Sequence, residues 1–326
     1  MSKADRLDKL RHKLGFYLSS IWDMVLPSFV FEQKRQKLRQ VFASLTPAEQ
    51  QELLDRVNYY NQVKQPFKVS DAADLIGQFS REGKNSSYFF DFKSLLRFYP
   101  LDYRVDYVFG DVVHIPEVPS FVKSRPISED NQNSVILKLD SVRHYYTVPD
   151  NKAFADKKSK LVWRGDAHQS YRLDFVQQFY DHPLCDVGDV GKRSQGKPWF
   201  GSYLTVEEQL QCKYVLSMEG YDVATNLKWI MASNSLCFMR KPRFETWFME
   251  GRLIPGVHYV LLKDDHSDFE EKINYYEQHP EEAEQIIGNA QAYMEQFYKK
   301  DQELLVSLLV MNRYFHLSGQ RADDSL

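Results

Sequence analysis

The sequence predicts an α/β protein of two domains with helical segments at both ends. A strand–turn–helix–strand pattern runs from Lys213 to Met239, and such alternation is typical of a parallel sheet covered by helices. Residues 1–65 have the apolar spacing and capping signals of helices, and so do the residues after 267. With 326 residues, 43% of them hydrophobic, the chain is long enough for two domains with cores of their own.

The strand–turn–helix–strand unit is the best-defined element. Residues 214–218 are a short β-favouring run, and Gly220 then offers the positive φ that a sharp strand-to-helix turn often needs. Asp222 is a candidate N-cap for a helix that extends to Met231, and residues 236–239 form the next buried strand. The N-terminus of that helix favours an anion at the carboxyl end of the sheet. The alternative is a structural crossover that binds nothing.

Before residue 150 the sequence predicts helices followed by strands. Thr46 and Glu49 have the spacing of a capping box, with Pro47 at the first helical position. Aromatic and β-branched runs predict strands at residues 88–92, 107–109 and 135–139. The charged segment 150–160 is the predicted domain boundary.

Beyond the boundary, strands and helices alternate before a helical C-terminal part. Strands are predicted at 160–163 and 257–262, and the Gly-rich segment 185–203 is predicted to be a mobile loop. Ser267 and Glu270 have the spacing of a second capping box. Helices are predicted at 171–180, 268–279, 280–298 and 301–316, followed by disordered residues 318–326.

Composition and charge exclude several classes of protein. The net charge of −3 argues against a broad nucleic-acid surface. The three cysteines fit neither a zinc site nor a disulfide framework, so a reducing compartment is expected. The charged N-terminus predicts no signal peptide. The apolar stretch 16–31 has basic flanks, which fit either an anionic membrane surface or a helix packed on its own domain.

Familiar catalytic motifs are absent from the sequence. It contains no Asp-x-Asp, no Gly-x-Gly-x-x-Gly, no Walker loop, no His-Glu-x-x-His and no Gly-x-Ser-x-Gly. What remains is an ordered set of residues that the predicted strands place at the carboxyl edge of a parallel sheet, where such sheets bind ligands. The set consists of Arg164-Gly165, Arg172 with Asp174, Lys213-Tyr214, Glu219-Gly220, Asn226 with Lys228, Ser233 to Leu236 and Pro255 to Tyr259.

In this order, the set resembles glycosyltransferase family 90, which holds bacterial lipopolysaccharide core glycosyltransferases, fungal capsule-related proteins and animal protein O-glucosyltransferases. The bacterial lipopolysaccharide branch is the most similar. The resemblance implies a GT-B architecture, in which two Rossmann-like domains face each other across a cleft, with helical N-terminal and C-terminal extensions. The corresponding bounds are 1–150 for an acceptor-side domain, 151–300 for a nucleotide-sugar-binding domain and 301–326 for a C-terminal helix and tail.

The resemblance also implies an inverting transfer from a UDP-sugar without a metal or other cofactor. The missing Asp-x-Asp agrees, since a bound divalent ion commonly needs such carboxylates. Arg, Lys and helix-terminal N–H groups must then stabilise the leaving diphosphate. The donor-binding residues that the resemblance implies are Arg164, Gly165, Arg172, Lys213, Glu219, Gly220, Asn226, Lys228, Ser233 and Ser235.

Alternative roles stay open for several of these residues. Arg172 is the strongest candidate for phosphate contact, and a surface ion pair with Asp174 is the alternative. The animal branch has an Arg where this sequence has Asn226, so that another cation, such as Lys228, would have to compensate. The alternative for Lys228 is an exposed lysine on a helix. The alternative for Ser233, Asn234 and Ser235 is a helix-capping role without contact to the nucleotide.

An inverting transfer needs one general base to take the proton of the acceptor hydroxyl. In the family this base is an Asp of the N-terminal domain that follows a strand and precedes a Pro-containing loop. Asp111, after Val108-Phe109-Gly110, matches that context. Asp106 is the alternative base, and a strand-capping Asp111 without a catalytic role is the other interpretation.

The sequence leaves open which hexose is transferred, to which acceptor sugar and by which linkage. It predicts an enzyme that moves glucose or galactose from UDP-glucose or UDP-galactose to a lipopolysaccharide or lipooligosaccharide core sugar. The expected location is the cytoplasm or, peripherally, the cytoplasmic face of the inner membrane, with no nucleic-acid partner. The alternative is a non-catalytic nucleotide- or carbohydrate-binding protein derived from such an enzyme. Retention of Asp111, Arg172 and Lys228 favours the enzyme.

Overall fold

A computed structural model describes the backbone of residues 3–326 and the side chains of residues 9–326. The helices are α1 (Lys3–Val25), α2 (Ser28–Ser44), α3 (Pro47–Tyr60), α4 (Ser86–Leu96), α5 (Ser141–His144), α6 (Ser170–Phe179), α7 (Val206–Gln209), α8 (Leu227–Met231), α9 (Phe269–Gln278), α10 (Pro280–Glu295) and α11 (Lys300–Leu317). The strands are β1 (Asp74–Leu75), β2 (Arg104–Val105), β3 (Tyr107–Val108), β4 (Ser120–Val122), β5 (Ser124–Pro126), β6 (Ser134–Ile136), β7 (Lys158–Gly165), β8 (Cys185–Asp189), β9 (Cys212–Ser217), β10 (Leu236–Met239), β11 (Phe244–Thr246) and β12 (Val260–Leu261).

The chain forms two compact units, and neither is continuous in sequence. The first, called the sheet unit below, is built mainly from residues 143–242 and 250–296. The second, called the helical unit, consists of residues 11–142, 243–249 and 297–326. Both units combine helices with a parallel sheet, which confirms the predicted α/β class.

The sheet unit contains a five-stranded sheet with the strand order β12-β10-β9-β7-β8, in which each neighbouring pair is parallel. Its central strands are continuous apolar runs, as expected for a sheet covered on both faces; Val162, Val215, Leu216 and Phe238 are completely buried. Because the strands run the same way, their carboxyl ends lie at one side of the sheet. We call the residues that end or directly follow β7, β9, β10 and β12 the carboxyl edge.

The helical unit contains a three-stranded parallel sheet with the order β3-β4-β6, and helix α11 packs against α2 and α3. A buried ion pair joins two of these helices, because Arg56 of α3 donates to Glu303 of α11 at 2.5 Å. Trp247 and Lys138 also donate to that carboxylate, at 2.8 and 2.7 Å. The buried charge of Glu303 is therefore paired and hydrogen-bonded, as burial of a carboxylate requires.

Residues 88–92, which the sequence predicts to be a strand, belong to helix α4 instead. The helix begins after Asn85, whose side chain accepts a hydrogen bond from the backbone N–H of Ser87. Tyr88, Phe92 and Leu95 are buried at a spacing of four and then three residues, which is the helical period. The prediction was wrong because a short aromatic run fits the β period and the helical period equally well.

The segment 185–203, predicted to be a mobile loop, contributes strand β8 to the edge of the sheet. Leu161 to Gly165 pair with Cys185 to Asp189 in register. Gly188 lies where the backbone of Gly201 approaches closely, since a Cβ at Gly188 would lie 2.8 Å from the Gly201 Cα. The glycines of this segment therefore allow close packing, and the prediction of a loop was wrong over residues 185–189.

Of the two predicted capping boxes, the structure contains the first. The Thr46 hydroxyl accepts from the N–H of Glu49 at 3.3 Å, and the Glu49 carboxylate accepts from the N–H of Thr46 at 2.8 Å. The second box is wrong: α9 begins after Asp268, which makes no capping bond and instead accepts from the N–H of Lys263 at 3.0 Å.

Two further expectations about the backbone are corrected. Gly220 does not have the positive φ expected at the turn after β9. The turn therefore does not need glycine for a left-handed backbone conformation. Residues 318–326, expected to be disordered, form turns, in which Gln320 exchanges hydrogen bonds with the backbone of Arg104 at 2.5 and 3.0 Å.

In the part of the chain that the structure describes, no single helix is long and apolar enough to cross a bilayer. Lys9–Val25 and Ser28–Ser44 meet that criterion of length and composition only when taken together, and they are bent by 110° with respect to each other.

Candidate functional site

The carboxyl edge of the sheet unit brings several of the predicted donor-binding residues together. Arg164 and Gly165 end β7, and Arg172 lies in the first turn of α6, the helix that follows. Glu219 and Gly220 come directly after β9. The edge is therefore the candidate functional site of this unit.

The guanidinium of Arg172 ties the ends of two strands together. Its Nε donates to the carbonyl oxygen of Glu219 at 2.7 Å, and one Nη donates to that of Met218 at 2.6 Å, both just beyond β9. The other Nη donates to the carbonyl oxygen of Asp166, just beyond β7, at 3.2 Å. Burial lowers the pKa of Arg172, yet a guanidinium stays protonated in proteins. Arg172 thus holds a positive charge at the edge with carbonyl oxygens, not a carboxylate, as its hydrogen-bonded partners.

Arg164 and Gly165 shape the edge. Arg164 donates to the carbonyl oxygens of Ser202 at 3.0 Å and Asp186 at 2.6 Å, and to the Asp186 carboxylate at 2.5 Å. These bonds hold β8 and the segment around Ser202 against β7. Gly165 has no room for a side chain, since a Cβ there would lie 2.6 Å from the Trp163 ring. Their part in donor binding stays a prediction.

Arg240, which the sequence analysis did not select, lies at the same edge directly after β10. Its guanidinium carbon is 4.5 Å from the centroid of the Tyr171 ring, and an Nη is 3.7 Å from the Glu219 carboxylate. The Tyr171 hydroxyl in turn donates to the carbonyl oxygens of Glu219 at 2.6 Å and Gly220 at 2.9 Å. Two guanidinium groups and one carboxylate therefore surround the turn after β9. The signal that could have identified Arg240 is its position immediately after a predicted buried strand.

Buried polar atoms without a hydrogen-bond partner among the described residues accumulate at this edge. They are Ser217 Oγ at the end of β9, His168 Nε2 beyond β7, one Nη of Arg240 and His266 Nε2 beyond β12. Buried polar groups in folded proteins are nearly always hydrogen-bonded, so such a cluster marks a place where a bound molecule or water completes the bonding. The His168 ring also lies 4.8 Å from the ring of the exposed Tyr221. The edge thus combines positive charge, hydrogen-bonding groups and an aromatic surface.

His266 is neutral at pH 7. Burial, and to a smaller extent the charge of Arg240, lower its pKa from 6.5 to about 4. The unfolded chain takes up this proton below about pH 6.5 and the folded chain does not, so the free energy of unfolding decreases as the pH falls from about 6.5 to 4. The full difference is on the order of 3 kcal/mol.

Replacing His266 with Asn, which tolerates the left-handed φ of 59° at this position, should flatten that pH dependence. Urea unfolding at a series of pH values measures the effect, with a replacement of the only partly buried His279, His279→Asn, as the matched control. If the stability curves of His266→Asn and the wild type stay parallel between pH 6.5 and 4, His266 does not remain neutral in the folded protein.

Lys228 lies in the interior of the sheet unit. Its Nζ donates to the Glu250 carboxylate at 2.7 Å, and the two side chains are 0% and 1% exposed. Asn226 precedes α8 at its N-cap position and donates its side-chain N–H to the carbonyl oxygen of Leu216 at 2.9 Å. Lys228, which was expected to replace the positive charge missing at position 226, is therefore engaged in a buried ion pair in this structure.

Lys213, Ser233 and Ser235 lie at the opposite, amino end of the strands. Lys213 is the second residue of β9 and donates to Glu277 at 2.8 Å. Ser235 directly precedes β10; its hydroxyl donates to the Cys212 carbonyl oxygen at 2.8 Å. The Ser233 hydroxyl donates to the Ile230 carbonyl oxygen at 2.7 Å, which caps the end of α8. The structure does not bring these three residues to the carboxyl edge.

Asp111 lies in the helical unit, in the bend after β3, and its side chain is 31% exposed. Its carboxylate accepts from the ammonium of the buried Lys123 at 2.6 Å, which orients the carboxylate. Gly110 before it has a φ of 111°, a conformation that favours glycine. Asp106, the alternative base, is buried and accepts from the N–H and the hydroxyl of Ser70 at 2.9 and 2.5 Å. Of the two, Asp111 has the accessible carboxylate.

Among the described residues, one group of His, Cys or carboxylate side chains lies close enough together to share a metal ion, namely His279, Glu281 and Glu282. These residues lie where α9 meets α10, and two of the three are exposed. The carboxyl edge has no such group within the described part of the chain.

Comparisons with known proteins point to one family. The family model described as glycosyl transferase family 90 matches residues 135–321. The O-glucosyltransferase LpsA of Dichelobacter nodosus is 51% identical over 308 residues, which cover 94% of this chain and 96% of that protein. Protein O-glucosyltransferase 3 of Homo sapiens is 26% identical over 148 residues, and protein O-glucosyltransferase 2 of Danio rerio is 28% identical over 153 residues. These matches cover 43% and 42% of this chain but 28% of each animal protein.

Proposed function

Because this chain belongs to glycosyl transferase family 90, we propose that it transfers glucose from UDP-glucose to a hydroxyl of a lipopolysaccharide or lipooligosaccharide core sugar. The chain is a glycosyltransferase, as its family membership states. The donor, the acceptor and the stereochemistry are our proposal. Glucose is favoured over galactose because the relative with 51% identity is named an O-glucosyltransferase.

The observation that carries the proposal is the set of charges and unsatisfied polar atoms at the carboxyl edge of the sheet unit. A nucleotide diphosphate is an anion with many acceptor oxygens, and guanidinium groups bind such oxygens well. The Arg240 Nη that lies 3.7 Å from the Glu219 carboxylate has no partner within hydrogen-bond distance, and Arg172 holds its charge at the same turn. The Tyr221–His168 pair adds an aromatic surface of the kind on which a base or sugar ring stacks.

In the proposed reaction, the acceptor hydroxyl oxygen attacks the anomeric carbon of the donor. The bond from that carbon to the β-phosphate oxygen breaks, UDP leaves with the electron pair, and the configuration at the carbon inverts. Asp111 takes the hydroxyl proton as general base. The guanidinium groups at the carboxyl edge stabilise the negative charge that grows on the diphosphate.

The donor-binding part is tested by replacing Arg240 with Gln and measuring UDP binding by calorimetry. Losing charge-assisted bonds to a phosphate should weaken UDP binding about 10- to 100-fold. Lys241→Gln is the matched control, because it removes the same charge from the adjacent, exposed residue and should bind UDP normally. Equal UDP affinity for both variants would contradict a donor site at this edge.

The metal-free part of the proposal rests on the chemistry of the edge, where guanidinium groups are present and, among the described residues, no three His, Cys or carboxylate groups lie close enough to share one ion. Turnover should therefore continue in EDTA and should not rise when Mg²⁺ or Mn²⁺ is added. UDP release is the measurement, with truncated lipopolysaccharide as acceptor and UDP-glucose or UDP-galactose as donor. Loss of turnover in EDTA that Mg²⁺ or Mn²⁺ restores would overturn this part, and faster turnover of UDP-galactose would overturn the assignment of glucose.

A further inference from the structure

Helix α1 of the helical unit exposes a continuous apolar face. Leu14, Leu18, Ile21, Trp22 and Val25 follow one another at steps of four, three, one and three residues, which places them on one side of a helix. These side chains and Phe29, which begins the next helix, are 49–69% exposed. The other large apolar side chains on the surface are mostly scattered along the chain, and single ones need no explanation. We call these six residues the apolar stripe.

The side of α1 next to the stripe is attached to the protein. The hydroxyl groups of Tyr17 and Ser86 are 3.0 Å apart, and the Tyr17 ring packs edge-on against Phe90 with ring centroids 5.5 Å apart. Ser20 of the same side is buried. A helix that is held along one side and exposes an apolar face beside it is arranged to lie in an interface, parallel to it.

Positive charge is concentrated around the stripe. Residues 9–40 contain seven Lys or Arg but only two Asp or Glu, although the whole chain has a net charge of −3. Lys13 of α1 and Lys37 of α2 are both exposed, and Lys37 also pairs with Asp301 at 2.7 Å, whereas Arg35 is buried. A second copy of this chain would bring like charges together, which disfavours a dimer through this surface.

We propose that the apolar stripe docks the protein on an anionic lipid bilayer. The stripe enters the boundary between head groups and acyl chains, with Trp22 at the level where Trp is enriched in membrane proteins. The flanking basic residues bind the anionic head groups, each contributing only within a Debye length of the surface. This inference does not rest on the proposed reaction, since none of its residues belongs to the candidate donor site or to the bend of Asp111.

Flotation of the full chain with vesicles tests the proposal. The wild type should float with vesicles of phosphatidylcholine and phosphatidylglycerol, and far less with phosphatidylcholine alone or in high salt. The double variant Leu18→Gln/Trp22→Gln keeps good helix formers at both positions and should bind anionic vesicles at least about tenfold more weakly. Leu101→Gln/Ile254→Gln is the matched control, because it changes two comparably exposed apolar residues outside the stripe and should bind like the wild type.

Circular dichroism and urea unfolding verify that both double variants fold, and because all four positions are exposed, we expect wild-type stability. The proposal is overturned if the wild type does not float with anionic vesicles, or if it floats equally with neutral ones. It is also overturned if the stripe variant and the control variant bind equally. A dimer in solution that Leu18→Gln/Trp22→Gln dissolves, without vesicle binding, would show that a second copy covers the stripe instead.

Discussion

Replacing Asp111 with Asn is expected to reduce turnover about 10²- to 10⁴-fold, the range that general-base catalysis contributes. Asn has nearly the same shape but cannot take up the proton of the acceptor hydroxyl. Because Asp111 lies in the helical unit and the candidate donor site in the sheet unit, UDP binding should be unchanged. Initial rates of UDP release and calorimetric UDP binding, measured on the same preparation, test both halves of this expectation.

Glu117→Gln is the control for Asp111→Asn, because Glu117 is an exposed carboxylate in the same Pro-containing segment. It should leave the rate unchanged. The stability of Asp111→Asn must be measured too, since the substitution removes the charged partner of the buried Lys123. If Asp111→Asn folds and turns over like the wild type, the base is another residue, and an inverting mechanism through Asp111 is ruled out.

Replacing Lys228 with Met is expected to destabilise the protein by about 3–5 kcal/mol, because it removes one partner of the buried Lys228–Glu250 ion pair. The urea midpoint measures this loss. The double variant Lys228→Met/Glu250→Gln removes both charges and should recover much of the stability, since an uncompensated charge costs more than a missing pair. Recovery in the double variant also keeps the test valid if the single variant does not fold.

Lys213→Met is the matched comparison. The sequence assigned Lys213 and Lys228 the same role, but the Lys213–Glu277 pair is partly exposed and should contribute at most about 1 kcal/mol. Neither variant should change UDP affinity in folded protein, because one lysine is buried and the other lies at the amino end of β9. A large loss of UDP affinity in Lys228→Met with unchanged stability would show that Lys228 takes part in donor binding.

The sequence was sufficient to predict features whose interacting residues lie close together in the chain. The Thr46–Glu49 capping box involves neighbours on one turn, and the structure contains it. The unit from Lys213 to Met239 has continuous apolar strands around a helix, and the structure contains β9, α8 and β10 there, but α8 begins at Leu227 and Asp222 is not its N-cap. Asp111 was selected because its context, a strand followed by glycine, matches the one that the family resemblance implies, and its role as base stays a prediction.

The sequence by itself thus determined the α/β class, the family, the strand ends at which Arg164 and Glu219 lie and the helix start at which Arg172 lies. Only the tertiary structure decided which charged side chains are already paired with another residue of the protein. Lys228 and Lys213 have partners 22 and 64 residues away, so no sequence window shows that these charges are already paired. Arg240 comes close to Glu219 and His266 only when parallel strands align their carboxyl ends, because sheet pairing joins residues that are distant in the chain.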